Sequence, residues 1–81
     1  MDKRIGVVGI VIENHDVVTI VNCILSDHGE MIVGRMGIPY RERQVSVISL
    51  IVAGTTDEIG SLTGKLGALQ GVSVKSALTK K

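Results

Sequence analysis

The chain has 81 residues, enough for one small domain, and nine Lys and Arg against eight Asp and Glu give a formal net charge of +1. Nucleic-acid-binding proteins usually carry a basic patch and stacking aromatic residues. Here Tyr40 is the only aromatic residue, so direct nucleic-acid binding is not expected. Cys23 is the only cysteine, which excludes an internal disulfide and fits a reducing cytoplasm. The apolar run at residues 5–12 is far shorter than the roughly 20 residues that cross a bilayer.

The first half of the chain has the pattern of a strand, a helix and a second strand. Residues 4–12, RIGVVGIVI, are apolar at both alternating sets of positions, which is typical of a central strand covered on both faces. A helix is predicted next, and Gly29 is placed to end it. Residues 31–38, MIVGRMGI, predict a strand weakened by two glycines. The apolar positions at helical spacing are Val17, Ile20, Val21 and Ile24, flanked by Val18 and Leu25.

The second half predicts a strand, a helix and a last strand. The polar segment Pro39–Arg43 leads to QVSVISLIV at 44–52, which is again apolar on both faces, so residues 31–52 form a predicted hairpin. Thr55 and Glu58 have the spacing of a capping box at a helix start. An apolar stripe follows at Ile59, Leu62, Leu66 and Leu69. Residues 72–78, VSVKSAL, alternate as the final strand.

The order βαββαβ predicts an α+β fold, a ferredoxin-like sandwich in which two helices cover one face of a four-stranded antiparallel sheet of order 4-1-3-2. Residues 1–81 are interpreted as one domain. The first and third strands are central in this topology, and they are the two strands with apolar residues on both faces. The uncovered face then carries an apolar row from each central strand. A small protein rarely leaves such a patch exposed, so we expect a homo-oligomer, a dimer or a tetramer.

Three glycines, Gly60, Gly64 and Gly67, lie on one side of the second predicted helix, which Gly71 is expected to end. Each costs about 1 kcal/mol relative to Ala in a helix interior. The spacing therefore indicates that another backbone approaches this side. We favour packing against the first helix of the same chain over a contact between subunits.

The segment VIENHDVVTIVNCILSDHGE, residues 11–30, holds both histidines and the only cysteine. His15 and His28 are 13 residues apart, or roughly 20 Å along a helix, so they cannot bind one metal ion together. His28 is expected at the end of the first helix, and Cys23 is interpreted as a buried or half-buried side chain. The sequence has no nucleophile–base pair and no carboxylate dyad. We therefore expect no metal, no cofactor and no catalysis.

The first connection between strand and helix is the candidate effector-binding site, with Asn14, His15 and Asp16 around the helix N-terminus. Helix capping by Asn14 or Asp16 is the simpler interpretation, and we give it more weight. A group of arginines near the predicted hairpin is the next candidate, for an anionic partner. These are Arg35, Arg41 and Arg43.

The strings GRMGIPYRERQVSVISLIV, GTTDEIGSLTGKLG and GVSVKSAL together resemble the small proteins provisionally named iron-only hydrogenase system regulators. That family is grouped with ACT-like domains and with the C-terminal domain of the nickel-responsive transcription regulator. It is associated with the maturation machinery of iron-only hydrogenase. The resemblance implies a regulatory role. Together with the uncovered apolar face, the single cysteine and the lack of a catalytic arrangement, it predicts a non-catalytic regulatory protein of the cytoplasm that acts as an oligomer by binding a small effector or a protein.

The sequence departs from the wider relatives in two places. ACT domains that bind amino acids commonly have a glycine where the first strand meets the first helix, and this chain has ENHDVV there. The nickel regulator uses histidines and a cysteine on its strands, and MIVGRMGI and QVSVISLIV contain neither. Amino-acid binding at that position and nickel sensing are therefore not expected. The alternative functions are a DNA-binding transcription regulator and an accessory protein that binds a hydrogenase-maturation protein.

Overall fold

Alternating apolar residues form four strands, and two apolar stripes form two helices. The structure is a computed structural model, and it describes residues 3–80. The strands are β1 (Arg4–Ile12), β2 (Ile32–Tyr40), β3 (Val45–Gly54) and β4 (Val72–Leu78), and the α-helices are α1 (Val18–Asp27) and α2 (Thr56–Gly67). Short 3-10 turns precede α1, follow it, and link β2 to β3; they span His15–Val17, Gly29–Met31 and Arg41–Arg43. No helix within the described range is long and apolar enough to cross a membrane.

The four strands form one antiparallel sheet in the order β2-β3-β1-β4. This is the predicted order 4-1-3-2 counted from the other edge, so the ferredoxin-like fold is confirmed. The two central strands alternate strictly between core and surface, since Val8 of β1 pairs with Leu50 of β3 and both are fully buried. The core lies between the sheet and the two helices. It comprises Val8, Ile10, Ile12, Val21, Leu25, Met31, Ile48, Leu50, Val52, Ile59, Leu62 and Leu66.

Several element boundaries differ from the sequence prediction, most clearly those of β2 and α2. β2 continues through Pro39 and Tyr40, which were expected in the connection. Because β2 is an edge strand, the missing N–H of proline costs no ladder hydrogen bond on the open side. α2 ends at Gly67 rather than at Gly71, and Gly71 instead adopts a φ of 80° in the turn before β4.

One residue of the apolar stripe predicted for α1 lies outside the core. Ile20 was expected to face the core but is 46% exposed, whereas Val21 and Leu25 are buried. The remaining predicted apolar positions are partly buried against the core, as expected; they are Val17, Val18 and Ile24. Cys23 is exposed on the same helix, so its expected burial was wrong.

The glycine side of α2 has no neighbour in the described part of the chain. A Cβ added at Gly60, Gly64 or Gly67 would meet no atom within 4 Å, apart from the backbone of the helix itself. The predicted packing of these glycines against the first helix is therefore wrong. α2 is held on the sheet by its opposite side, where Ile59, Leu62 and Leu66 are buried, and its glycines face away from the core.

The sheet surface opposite the helices is here called the open face. It carries eight large apolar side chains that are between 36% and 64% exposed. They are Ile5, Val7 and Val11 of β1, Met36, Ile38 and Tyr40 of β2, and Val47 and Ile51 of β3. The edge strand β4 adds only small or polar residues to this face, because Ser73, Lys75 and Ala77 pair with Val11, Gly9 and Val7. The open face is thus bulky on its β2 side and small on its β4 side.

Candidate functional site

The first predicted site residue, Asn14, is built into the scaffold at the end of β1. The Glu13 N–H donates to the carbonyl oxygen of Gly71 at 2.7 Å, which ties this connection to the turn before β4. A Cβ at Gly71 would lie 2.7 Å from the Asn14 Cβ. Since Gly71 also has a φ of 80°, a conformation that favours glycine, only a glycine permits this close approach.

Asn14 also caps the 3-10 turn that follows. Its Oδ1 accepts a hydrogen bond from the Asp16 N–H at 3.0 Å, and its carbonyl oxygen accepts from the Val17 N–H at 3.2 Å. The side chain is half-buried, whereas His15 and Asp16 are exposed. The capping interpretation therefore describes Asn14, but Asp16 contributes only its backbone N–H to the cap.

His15 lines a cavity of about 460 Å³ at the end of the sheet. The hairpin between β2 and β3 supplies the rest of the wall, and this cavity is here called the His15 pocket. Its lining residues are His15, Pro39, Tyr40, Arg41, Gln44 and Val45. The structure thus joins one member of the predicted site, His15, to one arginine of the alternative hairpin site, Arg41. Asn14 and Asp16 do not line the cavity.

The polar side chains of the His15 pocket are free of internal partners. Within residues 3–80, no hydrogen bond or ion pair holds the side chain of His15, Tyr40, Arg41 or Gln44. Gln44 has a φ of 55°, and its backbone N–H donates to the Arg41 carbonyl oxygen at 3.2 Å, which closes the 3-10 turn. The turn itself therefore uses the backbone and leaves the side chains available.

Arg35 was grouped with Arg41 and Arg43 from the sequence, and the structure separates it from them. It lies in the middle of β2 opposite Leu50, and its guanidinium donates to the Asn22 Oδ1 of α1 at 3.3 Å. Pairing with Leu50 places it on the helix-covered side of the sheet. The hairpin cluster therefore contains only two arginines.

The opposite end of the sheet has a larger cavity, about 830 Å³, between the end of α1 and the start of α2. Its lining includes four carboxylates: Asp27, Glu30, Asp57 and Glu58. His28 lies there at the end of α1, as expected, and its Nδ1 donates to the Ile24 carbonyl oxygen at 2.9 Å. No three His, Cys, Asp or Glu side chains converge to hold a metal ion anywhere between residues 3 and 80.

The start of α2 at this end is a complete capping box. The Glu58 N–H donates to the Thr55 Oγ1 at 3.1 Å, and the Thr55 N–H donates to the Glu58 Oε1 at 2.8 Å. These bonds hold the pKa of Glu58 below its ordinary value, with the backbone N–H of Thr55 as the main cause and its hydroxyl as the second. The predicted capping box is confirmed, and its carboxylate is engaged in the helix terminus.

The chain matches the TM1266-like family, provisionally named iron-only hydrogenase system regulator, over residues 4–76. It is similar to the uncharacterized protein TM1266 from Thermotoga maritima, with 36% identity and a TM-score of 0.93 over 98% of this chain and 100% of that one. No curated protein matches the chain.

More distant structures share the fold alone. The C-terminal domain of MgtC from Mycobacterium tuberculosis has 13% identity and a TM-score of 0.74 over 95% of this chain and 88% of that one. A homoserine dehydrogenase from Thiobacillus denitrificans has 18% identity and a TM-score of 0.63 over 95% of this chain and 17% of that one. With the family match covering most of its length, the protein belongs to the TM1266-like family of iron-only hydrogenase system regulators.

Proposed function

We propose that this protein is a non-catalytic regulator of the iron-only hydrogenase system that acts as a homo-oligomer and binds a small effector in the His15 pocket. The observation that carries the proposal is the position of the pocket on the rim of the open face. Tyr40 and Val45 pair with each other across β2 and β3, and both line the pocket. Tyr40 also belongs to the open face. A ligand bound there would contact the same rim that a second copy of the chain covers, so ligand binding and assembly would influence each other.

The size of the open face supports a second copy of the chain as its occupant. Its eight large apolar side chains, each between 36% and 64% exposed, lie side by side on β1, β2 and β3. Monomeric proteins rarely expose contiguous apolar patches larger than a few hundred Å². Of the described residues paired across the four strands, Lys75 is the only charged one on this face. Burial of the face would therefore desolvate few charges.

The distribution of side-chain size across the open face favours one arrangement of two copies. A two-fold axis between the sheets and parallel to the strands places β2 of one copy over β4 of the other, and β3 over β1. Met36 and Ile38 of each copy then meet the small or flexible residues Ser73 and Lys75 of the other. An axis across the strands would instead place bulky β2 on bulky β2. Complementary size therefore supports the first arrangement, in which the lysine ammonium extends to water at the rim.

In this arrangement the second copy lies beside the His15 pocket. Tyr40 is the last residue of β2 and 47% exposed, so a copy packed on the open face limits the positions its ring can take. An effector that contacts the same ring then binds the assembled and the separate chains with different affinities. By linkage, the effector shifts assembly and assembly shifts effector affinity by the same factor.

Sedimentation equilibrium with two matched variants tests the assembly. Ile51 on the open face and Ile20 on α1 are 41% and 46% exposed, so Ile51→Lys and Ile20→Lys add the same charge at similar exposure. We expect Ile51→Lys to dissociate the oligomer into folded chains and Ile20→Lys to leave its mass unchanged. A wild-type protein that sediments as an 8.6 kDa monomer at micromolar concentration would contradict the proposal.

A further inference from the structure

We infer that the His15 pocket takes a small ligand with an anionic head, a carboxylate or a phosphate, attached to an apolar body. The inference rests on the proposed function, because it names the ligand class of the same site. It depends on the charge of the lining, on the free state of its polar side chains, and on the apolar surface beside them.

The charge of the lining selects an anion. Arg41 and His15 line the pocket and no carboxylate does. A guanidinium presents a planar fork of N–H donors that matches the two oxygens of a carboxylate or phosphate. Because no residue in the described range 3–80 engages the Arg41 guanidinium, its donors can turn to a ligand without breaking an internal bond. An imidazole N–H of His15 supplies a further donor, from the connection that follows β1.

The apolar part of the lining selects an organic ligand rather than a bare inorganic ion. Pro39, Tyr40 and Val45 supply the apolar part of the lining, and the cavity volume of about 460 Å³ lies within the 300–1,000 Å³ or so that is typical of small-molecule sites. An ion alone would leave this surface in water. An aromatic or aliphatic body bound to the anionic head covers it, and the Gln44 amide remains free to fix its orientation.

Three carboxylates at the same end of the molecule oppose an anion, but none lines the pocket. Glu13, Asp16 and Glu42 are exposed, so water and salt screen them over about 10 Å. Asp16 follows His15 directly in the chain without lining the pocket. Its replacement by Asn should therefore raise the affinity for an anion, by about twofold to fivefold for one exposed charge pair removed.

Calorimetric titration of the full chain with phenyl phosphate, benzoate and benzamide tests the ligand class. Benzamide keeps the ring and the carbonyl but has no charge. We expect at least one of the two anions to bind and benzamide to bind at least about tenfold more weakly, as for the loss of charge-assisted hydrogen bonds. The anion that binds more tightly identifies the head group as phosphate or carboxylate.

Two arginines in the same turn provide matched variants. Arg41 lines the pocket and Arg43 does not, so Arg41→Gln and Arg43→Gln remove the same charge from neighbouring positions. Arg41→Gln should weaken anion binding by about tenfold or more, and Arg43→Gln by less than about twofold. His15→Gln, which removes the imidazole but keeps a polar side chain, should also weaken it. Circular dichroism checks that each variant is folded.

Sedimentation of the same samples separates this inference from the proposed function. An oligomer that binds neither anion would overturn the ligand class and leave the assembly intact. Anion binding by an 8.6 kDa monomer would support the ligand class and contradict the assembly. Equal weakening by Arg41→Gln and Arg43→Gln, or equal binding of benzamide, would show that the pocket does not recognise the anion and would overturn the inference.

Discussion

The cavities at the two ends of the sheet are lined by polar side chains of different charge and with different partners. At the end where α2 begins, Thr55, Glu58 and His28 all form hydrogen bonds with the backbone of a helix terminus. At the other end, His15 and Arg41 face a cavity and have no such bonds within the described residues. A polar side chain that satisfies a helix end stabilises the fold. One that has no internal partner and lines a cavity is available for a ligand.

The larger of the two cavities is therefore not the better candidate. The acidic cavity is about 830 Å³ and the His15 pocket about 460 Å³. Glu58, which lines the acidic cavity, is committed to the cap of α2. The His15 pocket instead combines free donors with apolar surface and borders the open face. The choice between the two cavities therefore depends on the chemistry of their linings, donors beside apolar surface against a cluster of carboxylates, and not on volume.

The largest effect on stability is expected at the turn that supports the His15 end. Gly71→Ala places a Cβ against Asn14 and forces an alanine into a positive φ, so it should lower the free energy of unfolding by about 1–3 kcal/mol. Gly64→Ala is the control, because a Cβ there meets no neighbour. Helix propensity predicts that it raises stability by about 0.5–1 kcal/mol. Urea unfolding measures both, and equal effects would contradict the close approach at Asn14.

The next prediction compares a residue that stabilises the fold, Thr55, with a residue proposed to bind the ligand, His15. Thr55→Ala removes the cap of α2 and should cost about 1 kcal/mol while leaving anion binding unchanged. His15→Ala should alter stability by no more than about 0.5 kcal/mol, as for an ordinary surface change, and abolish anion binding. Urea unfolding measures the stability of each variant, and calorimetry measures its affinity for the anion. If His15→Ala costs as much as Thr55→Ala, the two ends do not differ as proposed.

The smallest effect is a pH dependence at the start of α2. The pKa of Glu58 is lowered in the folded state, so its carboxylate stabilises the fold above the ordinary unfolded pKa of about 4.3. This contribution is lost as the pH falls through the lower folded pKa, where the unfolded chain has already taken up the proton. Glu58→Gln should be less stable than the wild type at neutral pH, and the difference should shrink with acidification. A constant difference across this range would contradict the charged hydrogen bond.

Most of the fold was predictable because its signals are local. The continuous apolar run at residues 5–12 indicates a central strand by itself. The pair Thr55 and Glu58 reports a helix start from a fixed spacing. The strand order followed from the element order and from the two strands that are apolar on both faces. These signals need no knowledge of distant contacts.

The wrong predictions share a cause. The sequence does not show which residues lie close to each other in space. Three glycines in α2 indicated a close approach, yet nothing in the described chain meets them, and a glycine reports only the absence of a side chain. Ile20 has the spacing of a core residue, yet it is 46% exposed because no element of the described chain covers it. His15 and Arg41 line one cavity because the end of β1 and the β2–β3 hairpin lie at the same end of the sheet. The predicted topology contained that information, although the histidine and the hairpin were treated as separate sites.

The most direct test is a chemical-shift titration of the isotopically labelled wild-type protein with phenyl phosphate, because it observes both ends of the sheet in one experiment. We predict that the backbone amide signals of His15, Arg41 and Gln44 shift in a saturable way, while those of Thr55 and Glu58 stay unchanged. Shifts centred on Thr55 and Glu58 would contradict the assignment of binding to the His15 end and of stability to the α2 end. The absence of any saturable shift at His15 and Arg41 would contradict it equally.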